Sequence, residues 1–268
     1  MPELPEVEVI CNFLRNEIKN KQISGVVVNC CNLRAPVTEG INEILQGKII
    51  TEITRRGKYI IWSTNSEMSV IIHLGMSGKL VYNKRQGKHD HVVFFFSDHN
   101  SIVFNDPRRF GLIIVLNREQ VINFFSNLGV EPLTDKFNAG YLHELLKSRK
   151  ANIKSVLMDN KLIVGVGNIY ASESLFRARI SPLRQAKDLG YSECVKLTDE
   201  VKNTLKDAIT AGGSTFRDYM QPSGSIGHFQ NNFYVYGRDK KPCKTCHNTI
   251  KLIRQNGRST YFCEICQN

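Results

Sequence analysis

The feature that most constrains this chain is the placement of four cysteines near its C-terminal end. Cys243, Cys246, Cys263 and Cys266 form two Cys-x-x-Cys pairs separated by sixteen residues. This spacing is typical of a tetrahedral Zn²⁺ site with four thiolate ligands and no open position. We therefore expect one structural zinc ion that holds residues 240–268 as a hairpin module, which is too small to fold without metal. Free or disulfide-bonded cysteines are the alternative interpretation.

The beginning of the chain carries no pattern of a secreted or membrane protein. Residues 1–6 read Met-Pro-Glu-Leu-Pro-Glu, with two acids and no basic segment ahead of an apolar core. The remaining cysteines are scattered rather than arranged as a disulfide framework: Cys11, Cys30, Cys31 and Cys194. No apolar run approaches the ~20 residues that span a bilayer. We expect a cytoplasmic protein, nucleoid-associated if bacterial, that is not secreted and contacts no membrane.

Apolar periodicity divides the chain into a β-rich half and a helical half. Residues 7–18 follow the i, i+3, i+4 rhythm of an amphipathic helix, and β-branched and aromatic runs then recur from Ile23 to Leu116 at the spacing of a sandwich or barrel. A Gly/Pro/Asp/Asn cluster at 129–138 predicts a linker. Helical patterns follow at 141–148, 153–159, 169–177 and 191–211, and a Gly/Ser/Pro-rich loop at 212–227.

The charge of the chain permits a polyanionic partner. There are 36 Lys and Arg against 25 Asp and Glu, a net charge of +11, which favours nucleic acids or anionic membranes through steering and counterion release. Basic residues Lys251, Arg254 and Arg258 lie between the cysteine pairs, and basic turns occur at 55–58 and 106–111. Phosphate contacts are one interpretation of these residues, and solvated surface charges are the other.

Two short motifs suggest chemistry without establishing it. Gly165 to Asn168 opens a helix, where Asn168 can both cap the helix and touch a phosphate at its N-terminus; a plain helix cap is the alternative interpretation. Pro2 becomes a secondary amine if Met1 is removed. Its pKa would then be near ~8, so that part of it is unprotonated and nucleophilic near neutrality. Glu3 lies next to it as a group able to move protons.

The ordered set of motifs resembles the formamidopyrimidine-DNA glycosylases along essentially the whole chain. It consists of the N-terminal 1–8 segment, Lys58 in 56–59, the turns 73–78 and 106–111, residues 88–92, the 165–171 helix start and the zinc module. The resemblance implies an α+β, multidomain fold: an N-terminal β-sandwich with a leading helix, a helix-two-turn-helix domain and a C-terminal zinc-finger hairpin. We expect domain limits at 1–131, 132–227 and 228–268, with DNA held between the halves.

The resemblance also implies the chemistry. Pro2 corresponds to the nucleophile that attacks C1′ of a damaged nucleotide, and Glu3 to the group that manages protons at the sugar. Lys58 matches a lysine that assists β-elimination, and Arg258 an arginine tied to δ-elimination. The expected reaction is release of oxidised purines, 8-oxoguanine and formamidopyrimidines, from duplex DNA through a Schiff base, followed by strand cleavage.

Further positions match family residues that hold the DNA. Met76, Arg108 and Phe110 match residues that fill the space of the flipped nucleotide. Six positions match DNA contacts, chiefly to phosphates: His89, Arg108, Arg149, Lys154, Asn168 and Tyr236. Arg149 departs from the lysine common there, which keeps the charge but changes the geometry. The segment 214–229 corresponds to a loop that closes over the lesion.

Three alternatives remain at this stage. A sister endonuclease VIII type would prefer oxidised pyrimidines, although Leu4 and the long 212–227 loop resemble the purine-directed branch. A non-catalytic DNA-binding protein and an RNA-binding zinc protein are the others. We expect damaged double-stranded DNA as the partner, and a monomer.

Overall fold

A computed structural model describes residues 1–83, 87–215 and 220–268. The chain forms two compact units, one of residues 1–127 together with 211–228, and one of residues 128–210 together with 229–268. The segment 211–228 therefore belongs to the first unit although helical residues of the second precede it. The domain limits expected from the sequence stay a prediction.

The described residues of the first unit form a leading helix, two four-stranded antiparallel sheets and two short helices. Helix α1 spans Leu4–Ile18, α2 Ile41–Leu45 and α3 Arg118–Phe125. The strands are β1 (Ile23–Val28), β2 (Ile50–Arg56), β3 (Tyr59–Thr64), β4 (Met68–His73), β5 (Lys79–Tyr82), β6 (Asp90–Phe96), β7 (Ser101–Asn105) and β8 (Leu112–Asn117). One sheet has the order β2-β3-β4-β8 and the other the order β1-β6-β7-β5.

A single apolar core joins the two sheets and α1. Alternate residues of the strands point inward, as in β3, where Ile60 and Trp62 are fully buried. Trp62 meets Phe94 of the other sheet edge-on, with ring centroids 4.9 Å apart. Val7, Ile10, Leu14 and Ile18 of α1 belong to the same core. The predicted β-sandwich with a leading helix is confirmed.

Three elements of this unit were not predicted from the sequence. Strand β5 has four residues and only one fully buried side chain, Leu80, so that its alternation is too short to recognise. Helices α2 and α3 bury few or no residues completely. Helix α3 begins at an Asn117 cap whose side chain accepts a hydrogen bond from Gln120 N, a local signal that the sequence reading passed over.

The second unit contains four α-helices, two short 3-10 helices (Ala186–Asp188 and Phe229–Asn232) and a two-stranded hairpin. Its elements are α4 (Ala139–Leu146), α5 (Ile153–Leu157), α6 (Asn168–Arg177), α7 (Tyr191–Thr210), β9 (Lys251–Gln255) and β10 (Arg258–Phe262). Asn138 and Asn152 cap α4 and α5 by accepting amide hydrogen bonds at 2.9 Å. Helix α6 packs against α7 and the hairpin. The predicted helical domain followed by a zinc-finger hairpin is confirmed.

No helix within the described ranges has the length and apolar character to cross a membrane.

Candidate functional site

The N-terminal segment of the first unit is anchored by helix α1. Pro2 and Glu3 are both buried, and Glu3 occupies the N-cap position of α1 with extended backbone. The carboxylate of Glu6, one turn into the helix, accepts the Glu3 backbone N–H through Oε2 at 2.8 Å. This reciprocal capping arrangement fixes the backbone that carries the prospective nucleophile.

The same carboxylate also contacts the segment that follows α7. Glu6 Oε1 accepts the backbone N–H of Ser214 at 2.8 Å, and the Glu6 side chain is 2% exposed. Gly227 N donates to Thr215 Oγ1 at 2.7 Å, which joins the two ends of the segment. The expected lesion-capping loop 214–229 starts at this point. Its residues 216–219 lie outside the described residues.

Lys58 lies in the tight turn between β2 and β3. Gly57 before it has a φ of +57°, a conformation that suits glycine, and Lys58 itself is 8% exposed. Arg55 connects this turn to α1, because its Nε donates to Glu8 Oε2 at 2.7 Å and its guanidinium to the Gly57 carbonyl at 2.9 Å. Burial raises the pKa of Glu8, but Arg55 and Arg15 outweigh it and the net pKa is lowered. This ion pair holds the Lys58 turn to the helix that carries Pro2.

His73, at the end of β4, is held in its neutral form. Burial, followed by the positive charges of Arg34 and Lys58, lowers its pKa to about 3. Its Nδ1 accepts the backbone N–H of Gly75 at 3.0 Å. A neutral imidazole with an unprotonated Nδ1 is what this hydrogen bond requires. His73 is therefore close enough to Lys58 to sense its charge, and it is hydrogen-bonded to Gly75 in the 73–78 turn.

The three residues expected to fill the vacated space lie on two neighbouring turns. Met76 and Phe110 are 43% and 44% exposed, which is unusual for such large apolar side chains. The Arg108 guanidinium carbon lies 4.7 Å from the centre of the Phe110 ring. A side chain at Gly75 would put its Cβ 2.4 Å from the Phe110 carbonyl carbon, so the two turns meet backbone to backbone. The structure thus brings Met76, Arg108 and Phe110 together on one exposed edge.

His89 is half-buried beside these turns. Its carbonyl accepts the backbone N–H of Asp106 at 3.0 Å. The backbone of His89, an expected phosphate contact, is therefore hydrogen-bonded to Asp106, the residue that begins the 106–111 turn.

In the second unit, Asn168 and Lys154 both contact the zinc hairpin. Asn168 Nδ2 donates to the Ser259 carbonyl at 3.0 Å. The N-cap of α6 is Gly167, and Asn168 is its first helical residue, so the capping role considered for Asn168 was wrong. Lys154 is 2% exposed, and its Nζ donates to the Ser259 carbonyl at 2.9 Å and to Thr260 Oγ1 at 2.7 Å. Lys154 thus supports the hairpin, and its contact with DNA stays a prediction.

Arg258 is an exposed residue at the tip of the hairpin. It pairs with Gln255 across a two-residue turn, Asn256-Gly257, in which both residues have positive φ. Such Asn-Gly turns favour the type I′ geometry that matches the twist of the strands. The Asn-Gly pair was available in the sequence and would have predicted the position of Arg258.

Tyr236 is held by a residue that sequence reasoning missed. Glu173, 1% exposed on α6, accepts backbone N–H groups of Tyr234 at 2.8 Å, Val235 at 3.0 Å and Tyr236 at 2.8 Å. The Tyr236 ring also meets Tyr261 of β10, with centroids 5.1 Å apart. The sequence offered one signal for this role, a glutamate on an otherwise buried face of helix α6, because a buried glutamate needs hydrogen-bond partners.

Arg149 follows helix α4 and is half-buried. Its Nε donates to the Leu145 carbonyl at 3.0 Å, near the end of that helix. The cation thus interacts favourably with the helix C-terminus.

The four C-terminal cysteines converge as a zinc site requires. Their Sγ atoms lie within 4.8 Å of one another, with Cys243 to Cys266 at 3.9 Å and Cys246 to Cys263 at 3.4 Å. A tetrahedral Zn²⁺ with Zn–S bonds of ~2.3 Å needs sulfur separations of about 3.8 Å. The residues fit one structural zinc ion, which stabilises the base of the hairpin that presents Arg258.

Comparison with known families accounts for both units. The model of the formamidopyrimidine-DNA glycosylase N-terminal domain matches residues 1–113, that of its H2TH domain residues 128–220, and a zinc finger found in FPG and IleRS residues 240–268. The chain belongs to the formamidopyrimidine-DNA glycosylase family. The resemblance seen in the sequence is thereby confirmed, as is the prediction of a glycosylase/lyase with a zinc finger.

Relatives of this family match over their whole length. A formamidopyrimidine-DNA glycosylase of Wolbachia sp. subsp. Drosophila simulans is 72% identical over all of both chains, and that of Rickettsia bellii is 42% identical over 100% of this chain and 99% of its own. The Lactococcus lactis enzyme in complex with abasic-site DNA superposes with a TM-score of 0.91, 33% identity and 99% coverage of both chains. A MutM structure with DNA containing carbocyclic 8-oxo-G gives 0.91, 34% and the same coverage.

Proposed function

We propose that this chain excises oxidised purines from duplex DNA and then cleaves the strand at the resulting abasic site. The observation that carries the proposal is the anchored N-terminus, where Pro2 and Glu3 are held at the start of α1 and α1 is ion-paired to the Lys58 turn. Relatives that bind abasic-site and 8-oxo-G DNA support the choice of substrate.

The chemistry begins at the amine of Pro2 after Met1 is removed. Its nitrogen attacks C1′, and the bond from C1′ to the base breaks with its electron pair leaving on the base. The departing base takes up the proton that the Pro2 nitrogen loses as it becomes bonded to C1′. Glu3 donates a proton to the ring oxygen as the sugar opens to an iminium ion. Release of the base therefore leaves the sugar covalently attached to the protein.

The iminium ion makes the following eliminations possible. Removal of a C2′ proton, a step we assign to assistance by Lys58, breaks the C3′–O bond and expels the 3′-side phosphate. Removal of the C4′ proton then breaks the C5′–O bond and expels the 5′-side phosphate, with Arg258 at that phosphate. Water then hydrolyses the imine and frees Pro2. The zinc ion takes no part in these steps and supplies only the rigid base of the Arg258 hairpin.

The products of cleavage test this assignment. On a 5′-labelled duplex with 8-oxoguanine opposite cytosine, we expect the native protein to leave a 3′-phosphate, the product of both eliminations. Arg258→Gln should accumulate the 3′-unsaturated aldehyde of β-elimination alone. Arg254→Gln, a matched exposed arginine of the same hairpin, should behave as the native protein. An unchanged 3′-phosphate yield from Arg258→Gln would remove this role.

A lesion panel and a competition experiment separate the alternatives. Faster release of thymine glycol or dihydrothymine than of 8-oxoguanine would assign the chain to the endonuclease VIII type. Binding of damaged duplex without cleavage would mean a non-catalytic protein, and preference for intact RNA an RNA-binding one. We propose further that the protein works as a cytoplasmic monomer on the chromosome.

A further inference from the structure

Asp106 is a completely buried carboxylate at the base of the exposed edge formed by Met76, Arg108 and Phe110. Its exposed fraction is 0%. It follows β7 and begins the turn that carries Arg108 and Phe110. A buried charge is unfavourable unless hydrogen bonds compensate it, so its surroundings show what it holds in place.

The two carboxylate oxygens of Asp106 reach both turns. Oδ1 accepts the hydroxyl of Ser77, the residue after Met76, at 2.6 Å, and also the backbone N–H of Arg108 at 3.2 Å. Oδ2 accepts the backbone N–H of Gly111, the residue after Phe110, at 2.8 Å. The Arg108 N–H is shared with Ser77 Oγ at 3.3 Å. One side chain therefore binds the neighbours of Met76 and Phe110 and the backbone of Arg108.

The main chain of Asp106 is bound as completely as its side chain. Its N–H donates to the His89 carbonyl at 3.0 Å, and its carbonyl accepts His91 Nε2 at 2.7 Å and the Arg109 N–H at 3.2 Å. His91 is itself 4% exposed. Every polar group of Asp106 is thus engaged. The carboxylate cannot move without breaking contacts to both turns, and the main chain is held by His89 and His91.

Close packing beneath the turns leaves little room for another arrangement. A Cβ at Gly111 would lie 2.4 Å from Phe104 Cζ and 3.0 Å from the His73 carbonyl oxygen. Arg34 N donates to the Gly111 carbonyl at 3.0 Å. Packing limits how closely the turns approach, and the Asp106 carboxylate draws them together.

We infer that Asp106 is a positioning residue that sets the spacing and direction of Met76, Arg108 and Phe110 as they enter the DNA stack. The inference rests on the proposed function, in which these three side chains occupy the space of the flipped nucleotide. Asp106 itself touches no substrate. It acts by accepting hydrogen bonds from three donors: the Ser77 hydroxyl and the N–H groups of Arg108 and Gly111. A carboxylate can accept all three, whereas an amide cannot, because its nitrogen is itself a donor.

The inference predicts a selective defect. Base release from a duplex requires the damaged nucleotide to leave the stack, whereas an abasic site in a single strand has neither a base to extrude nor an opposing base. Asp106→Asn should reduce 8-oxoguanine release from duplex at least tenfold. It should leave borohydride trapping on a single-stranded abasic oligonucleotide within twofold of the native protein.

A fluorescence measurement reports directly on the insertion of Met76, Arg108 and Phe110 into the DNA stack. A duplex with a non-cleavable tetrahydrofuran site opposite 2-aminopurine reports stacking at that position by fluorescence. The native protein should change this signal on binding, and Asp106→Asn should reduce the change at saturating protein. Ser77→Ala, which removes one of the three donors and keeps the charge, should give a smaller defect of the same kind and covers the case in which Asp106→Asn fails to fold.

A stability control excludes a general weakening of the domain. Thr64 is buried at the end of β3, and its hydroxyl donates to the Met68 carbonyl at 2.7 Å. Thr64→Val removes that hydrogen bond in the same unit and should lower thermal stability while leaving all three readouts near native. The inference is overturned if folded Asp106→Asn releases 8-oxoguanine at the native rate, or loses single-stranded trapping to the same extent. Failure of the native protein to trap on any substrate would instead reject the proposed function.

Discussion

The carboxylate of Glu6 joins the first turn of the protein to Ser214, 208 residues further along the chain, through a hydrogen bond of 2.8 Å. Its second oxygen holds the backbone of Glu3, next to the prospective nucleophile. A single buried side chain therefore contacts both the N-terminus and the start of the segment expected to cover a flipped base.

This relationship predicts that Glu6→Gln weakens base excision more than cleavage of a preformed abasic site. A glutamine accepts only one of the two amide hydrogen bonds, and a hydrogen bond to a charged group contributes ~1.5–3 kcal/mol. We expect 8-oxoguanine release to fall at least tenfold in single-turnover assays, with a smaller loss on abasic duplex. Glu52→Gln, an exposed glutamate of the same unit, is the control. Equal losses on both substrates would mean that Glu6 acts on Pro2 alone.

Glu173→Gln should destabilise the second unit. The native carboxylate accepts three backbone N–H groups in a buried site, and an amide nitrogen there would oppose at least one of them. We expect a loss of about 1–3 kcal/mol in the free energy of unfolding, measured by urea denaturation. Glu144→Gln, whose native carboxylate pairs with Lys147 on the surface, should leave the free energy of unfolding near its native value, because exposed ion pairs contribute little to stability. Native stability of Glu173→Gln would contradict this account of the 234–236 segment.

His73 predicts a specific dependence of stability on pH. Its pKa is about 3 in the folded protein, against an ordinary value of 6.5. Between these values the unfolded chain binds a proton that the folded chain does not, so acidification through this window lowers stability. The neutral variant His73→Asn keeps an acceptor for Gly75 N. The stability difference, native minus variant, should therefore rise as pH increases from about 3 to 6.5. A flat difference across this window would show that His73 titrates normally.

Removal of zinc should unfold the hairpin while the first unit stays folded. Structural zinc contributes ~10–16 kcal/mol to the folding of small zinc modules near neutral pH, and the hairpin of β9 and β10 has little core of its own beyond the cysteines. We expect elemental analysis to find one zinc per native chain and none in Cys263→Ser. The zinc-free variant should also lose binding to duplex DNA. Cys31→Ser, which changes an exposed cysteine, should retain the metal. A zinc-free variant that binds DNA normally would contradict the supporting role of the ion.

The sequence predicted local features better than distant contacts. The rhythm of Val7, Ile10 and Leu14 identified α1, and the cysteine spacing identified the zinc site, because these patterns are set by neighbours along the chain. Glu6, Asp106 and Glu173 each also bind a group far away in the sequence. These partners are the Ser214 N–H, the Ser77 hydroxyl and the N–H groups of residues 234–236, and nothing in the sequence pattern pairs them. Such contacts required the fold.

Lys154 is a residue whose burial could not be predicted from the sequence. Its residue type and its match to a DNA-contacting position of the family suggested a phosphate contact, but burial against Ser259 and Thr260 makes it a support of the hairpin in this structure. A lysine reads the same way in a sequence whether it faces solvent or a buried carbonyl.

The most direct test of the central claim is the location of the covalent adduct. Protein verified to lack Met1 is treated with borohydride on a duplex with 8-oxoguanine opposite cytosine, digested with trypsin and mapped by mass spectrometry. The account predicts a reduced sugar adduct in the peptide Pro2–Arg15, on the nitrogen of Pro2, and a sharply reduced yield from Pro2→Gly. Either of two results would contradict the account. One is an adduct on Lys58, which would block tryptic cleavage after that residue and appear in the peptide 57–79; the other is the absence of any adduct.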